Sequence, residues 1–139
     1  MGIEAQAFIV YGVDLGNNIP AALKPDEDGN VDFDELICEA AGLVNPGYSH
    51  PDYRAFADKE RALLKSCPAT ICVYSQDEQP RYVVCVNGQG INAIDEEPTR
   101  FNPAALVVPP ERLAAFQEFC RNFGINPGEA AWRLIARRC

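Results

Sequence analysis

Residues 69–86 read ATICVYSQDEQPRYVVCV. Thr70, Ile71, Cys72, Val73 and Tyr74 form one apolar run; Tyr82, Val83, Val84, Cys85 and Val86 form a second. β-Branched and aromatic side chains of this kind fit a pleated, half-buried surface. Ser75 to Arg81 between them is polar and contains Pro80, a turn signal between two strands. Both runs are apolar almost throughout, which predicts a hairpin covered on both faces. Asn87-Gly88 comes directly after and suits a tight type I′ turn into a third short strand, Ile91 to Ile94. A lone hairpin is marginal in water, so the rest of the chain is expected to pack around this one.

Near the N-terminus, Ala5 to Leu15 (AQAFIVYGVDL) reads as a strand, with Phe8 and Val10 on one face and Ala7, Ile9, Tyr11 and Val13 on the other. Gly12 inside it signals a bulge or a close backbone approach. Ala21 to Lys24 is one helical turn. Phe33, Leu36, Ile37 and Ala40 recur at helical spacing and predict a helix over 33–41 that Gly42 terminates. A second helix is expected over 52–65, opened by Pro51 and Asp52. Ala104 to Val108 reads as a short edge strand. Pro110 to Phe123 is the clearest helix, with Leu113, Phe116, Cys120 and Phe123 in one stripe and Phe119 beside it. Asn126-Pro127-Gly128-Glu129 has the chemistry of a helix start, so a last helix is predicted over 127–137. The expectation is one α+β domain over 1–139, with an antiparallel sheet of three to five strands covered by helices that include a C-terminal αα-hairpin.

The 139 residues are 47% hydrophobic, enough for one core without disulfide staples. No apolar run approaches the roughly 20 residues of a membrane-spanning helix. Met1-Gly2-Ile3-Glu4 lacks a basic segment leading into an apolar one, so a cytoplasmic location without a secretory signal is expected. The six cysteines are dispersed through apolar runs and read as reduced, structural thiols.

Net charge is −8 and unevenly placed. Residues 1–60 hold 12 acidic and 3 basic side chains, and residues 61–139 hold 8 and 9. Such an acidic first half disfavours direct binding to nucleic acid or an anionic membrane and favours a basic protein surface. The excess is concentrated in Asp26, Glu27, Asp28, Asp32, Asp34, Glu35 and Glu39, seven carboxylates in fourteen residues. One reading is a solvated face. A sharper one is a docking surface for a basic partner, including a host nucleic-acid-binding protein if the carboxylates stand in for phosphates, as in DNA mimicry.

Two alternatives use other chemistry. Residues 24–35 resemble an EF-hand calcium loop. With Gly29 at the sharp-turn position six, Asp26, Asp28 and Glu35 fall on ligand positions three, five and twelve, and Val31 on apolar position eight. Position one, however, is Lys24. The other alternative is a small enzyme using Cys85, which precedes Asn87-Gly88-Gln89-Gly90 at a strand end, with His50 as the sole histidine base. The leading reading is non-enzymatic, with no cofactor, no metal and no catalytic residue.

Phe119, Cys120, Gly124, Ile125, Pro127, Trp132 and Leu134, with the opening Tyr11-Gly12-Val13, resemble a pattern in small phage-encoded accessory proteins. The resemblance covers about a quarter of the chain, and the ending Arg137-Arg138-Cys139 departs from it. It implies an accessory protein in the host cytoplasm that binds and inhibits a host enzyme or defence complex, and it assigns no site residues.

Overall fold

The computed structural model describes residues 5–75, 79–94 and 98–138. The tip of the expected central turn, residues 76–78, lies outside the described residues, as do 95–97 of the later loop and Cys139. The elements run β1 (Ala5–Gly16), α1 (Phe33–Ala40), α2 (Tyr53–Ser66), β2 (Ala69–Ser75), β3 (Arg81–Val86), β4 (Ile91–Ile94), α3 (Pro110–Asn122) and β5 (Ala131–Arg138), with single 3-10 turns at Ala21–Leu23, Pro103–Leu106 and Pro127–Glu129. The fold is α+β, and its five strands form one antiparallel sheet.

β2 and β3 form the expected hairpin, with Thr70 opposite Cys85 and Cys72 opposite Val83. β1 is the axis of the sheet. One edge of it pairs with β3 through Gly12↔Cys85 and with β4 through Ile9↔Ile91; the other pairs with β5 from Ala5↔Arg138 to Gly12↔Ala131. Asn87-Gly88 therefore does not reverse the chain, contrary to the expected type I′ hairpin. From Gly12↔Cys85 to Ile9↔Ile91, β1 moves three residues while its partner moves six. β3 and β4 are thus successive pieces of one strand position, separated by a bulge. Gly90 permits it: its φ is +109°, and a Cβ there would overlap the Ile9 carbonyl oxygen.

Two cores lie on opposite faces of the sheet. On one, Val13, Val84 and Val86 meet Leu23, Leu36 and Ile37 together with Phe116, Phe119 and Cys120 of α3. Phe33 of α1 and Phe119 stand 6.1 Å apart between ring centroids. Each such aromatic contributes about 1.5–3 kcal/mol through burial. On the other face no helix is needed. The sheet curls until β2 and β5 approach within 8 Å at Cα, and Val10, Val83, Cys85 and Ile135 pack with Phe8, Cys72 and Tyr74. Gly12 lets β1 lie this close to β3, because a Cβ would stand 2.8 Å from the Cys85 Cα and overlap the Val84 carbonyl oxygen. The Arg133 side chain uses the space nearby and donates from Nε to the Gly12 carbonyl at 2.9 Å.

The C-terminal αα-hairpin predicted from sequence is replaced by a helix and a strand. Asn126 does cap a turn, accepting from the Gly128 N–H at 3.0 Å. After Pro127–Glu129, however, the chain extends into β5 instead of coiling over 127–137. An eight-residue ladder along the free edge of β1 outweighs the local helix signal. The expected edge strand at Ala104–Val108 is likewise a 3-10 turn, started by Asn102, whose side chain accepts from the Ala104 N–H at 3.0 Å.

α2 is fastened to the sheet through carbonyls at its C-terminal end, where helix carbonyls look for outside donors. The Asn87 side-chain amide donates to the carbonyls of Leu64 at 2.9 Å and Cys67 at 3.0 Å. That contact ties the C-terminal end of α2 to the end of β3.

Candidate functional site

α1 and α2, with the loop joining them, enclose an open cleft of about 740 Å3. Its acidic side comes from α1. Asp32 caps the helix and accepts from the Glu35 N–H at 3.0 Å. Asp34 and Glu35 occupy the first turn, where the helix dipole favours carboxylates. The apolar positions Phe33, Leu36 and Ile37 turn inward, which leaves Asp34, Glu35 and Glu39 outward, lining the cleft with Asp32. The connecting loop and α2 add apolar side chains. Val44 and Tyr48 of the connecting loop are 81% and 86% exposed, so they form a rim that the protein itself leaves uncovered. Tyr48 stacks on Tyr53 at 4.6 Å between centroids, and Tyr53 stands 6.0 Å from Phe56 in the floor.

Glu60 rises from α2 into the floor, where one of its oxygens accepts from the Cys38 thiol at 3.5 Å. Burial first and Glu60 second push Cys38 up to about 11, so it remains a thiol. Asp34 is also pushed above the usual 3.8, chiefly by partial burial and then by the charges of Glu60 and Asp32. No hydrogen-bond donor among the described residues answers its carboxylate. Glu39 is partly neutralised by Lys24, at 2.9 Å in an exposed pair of little energetic weight.

Four of the seven carboxylates singled out in the sequence thus share this cleft: Asp32, Asp34, Glu35 and Glu39. The other three do not line it. Asp26 lies in the preceding loop, with Oδ1 turned onto the loop's own amides, accepting from Asp28 N–H and Asn30 N–H at 2.9 Å each. These bonds, the one to Asn30 foremost, hold Asp26 below its usual 3.8. Glu27 and Asp28 are exposed at the tip of the same turn. Lys24, at the first calcium-loop position, has φ +52° and bonds Glu39 through its ammonium. Among the described residues no three His, Cys, Asp or Glu side chains gather in a metal-ligating group.

Sequence reasoning missed Glu60, Tyr48 and Tyr53. Glu60 did leave a signal: a carboxylate four residues after Phe56, in phase with the apolar stripe of α2.

Cys85 sits elsewhere, 3% exposed in the second core, and burial pushes its thiol up to about 12. A thiol so placed is a poor nucleophile. His50 is exposed near the start of α2, with Nδ1 accepting from the Asp52 N–H at 3.1 Å. Among the described residues no helix is long and apolar enough to cross a membrane. No family model matches the chain, nor does any curated protein or solved structure.

Proposed function

We propose that the chain is a non-enzymatic binding protein that engages a basic surface of another protein through the α1–α2 cleft. The observation that carries this reading is the composition of the cleft. Four carboxylates of the acidic run and Glu60 face an uncovered apolar rim of Val44 and Tyr48. A solvated acidic face needs no such rim. A docking surface does, because apolar contact supplies affinity while charge supplies steering and orientation. The fitting role is that of a phage accessory or inhibitor protein in the host cytoplasm, occupying the basic site of a host enzyme or defence complex. A site that ordinarily holds nucleic acid suits the arrangement, with carboxylates in place of phosphates.

The test is capture from nuclease-treated bacterial lysate, with identification of the partner. Wild type is compared with two variants of equal charge change, Asp34→Lys with Glu60→Lys in the cleft and Asp26→Lys with Asp28→Lys in the loop. The reading expects one stoichiometric partner retained by the loop variant and lost by the cleft variant, with binding that weakens as salt rises. Equal retention by both variants contradicts it.

A further inference from the structure

We propose that the α1–α2 cleft selects arginine over lysine on its basic partner. This deepens the docking reading and rests on it.

The cleft sets aromatic and aliphatic side chains beside its carboxylates, and the order of its groups matters. Tyr48, Tyr53 and Phe56 make a continuous aromatic row from rim to floor, with centroid steps of 4.6 and 6.0 Å. At the floor the row meets Glu60, and across from it stands Asp34. Tyr48, 86% exposed, is the ring that an entering side chain meets at the rim before it reaches the carboxylates. A guanidinium matches that path. It is planar, lies flat on an aromatic ring, and still directs its N–H donors in its own plane toward a carboxylate. An ammonium is a compact, strongly hydrated charge; it gains from one carboxylate but gives up water to lie on the ring. The methylene stem of either residue finds Leu43 and Val44.

The carboxylates at the end of the path are still available. Asp34 receives no hydrogen bond from the described residues, and Glu60 receives only the weak Cys38 thiol donor on one oxygen. A forked donor offers both of them what the protein itself does not. Glu39, already paired with Lys24, lies on the outer side and contributes to the field rather than to the contact.

The experiment is calorimetric titration of the full chain with two acetylated, amidated peptides, one alternating Gly and Arg and the other alternating Gly and Lys. Wild type is expected to bind the Arg peptide about fivefold more tightly. Tyr48→Leu keeps an apolar rim and removes the ring; Tyr48 is largely exposed, so the fold should persist, as a thermal melt would verify. This variant is expected to bind both peptides with the affinity that wild type shows for the Lys peptide. Equal wild-type affinities, or a preference unchanged in Tyr48→Leu, overturn the arginine inference and leave the docking reading in place. Binding of neither peptide, or equal binding by wild type and Asp34→Lys with Glu60→Lys, overturns both.

Discussion

Asp26 and Asp34 lie in the same acidic run, yet their carboxyls are displaced in opposite directions. Asp26 in the loop accepts backbone hydrogen bonds and is held below the ordinary 3.8. Asp34 in the cleft receives none from the described residues, faces Glu60 and Asp32, and is pushed above it. One carboxylate organises its own backbone. The other meets partial burial and the charges of Glu60 and Asp32, which disfavour its ionised form. The difference shows why counting charges along a sequence does not locate a binding site: one carboxylate is committed to the loop's own amides, and the other receives no hydrogen bond from the described residues. Local destabilisation of this sort is found where a protein binds something.

The contrast can be broken most forcefully at its scaffold. Phe56 is buried beneath Tyr53 and forms the cleft floor. Phe56→Ala should cost about 3–5 kcal/mol in denaturant unfolding and abolish cationic-peptide binding as well. Retained binding would mean that the floor is irrelevant to the site. A smaller effect is expected at Asp32, which both caps α1 and lines the cleft. Asp32→Ala should destabilise by about 1 kcal/mol through the lost cap. Asp32→Asn keeps a capping oxygen, so it should recover most of the stability while still lacking the charge.

The subtlest test uses pH. Because the folded protein holds a proton on Asp34 more tightly than the free carboxyl does, its stabilising contribution is complete below 3.8 and is lost as pH rises through the raised value. Asp34→Asn should therefore raise the melting temperature at neutral pH, and the gain should vanish in acid. Asp26 has the reverse sign. Its contribution is present above 3.8 and is lost as pH falls through the depressed value. Asp26→Asn should lower the melting temperature at neutral pH and matter less in acid. If both variants shift in the same direction in thermal melts, the contrast between loop and cleft fails.

The sheet was legible in the sequence where side-chain chemistry and backbone demand agreed. The two runs around Pro80 and the alternation of Phe8 and Val10 against Tyr11 and Val13 each end in the expected core. Gly12 announced a close approach, and β1 does lie against Cys85 there. Partnership was not legible. Asn126-Pro127-Gly128-Glu129 starts a helical turn, as its residues suggest, but the free edge of β1 draws the next residues into a strand, and no local pattern in 131–138 reports that edge. Asn87-Gly88 carries turn chemistry that the fold uses for a bulge instead of a reversal. The site was half legible for the same reason. The carboxylates of α1 stand out as a run, whereas Glu60 and the Tyr48–Tyr53 pair come from the neighbouring helix and loop, and only the packing of α2 beside α1 brings them together.

The most direct test of the central claim is to track backbone amide resonances of the full chain during titration with the Gly–Arg peptide. Saturable shifts are expected at Asp34, Glu35, Tyr48, Tyr53 and Glu60, with little change from Asp26 to Asn30. Shifts confined to residues 26–30, or none that saturate, would contradict that claim.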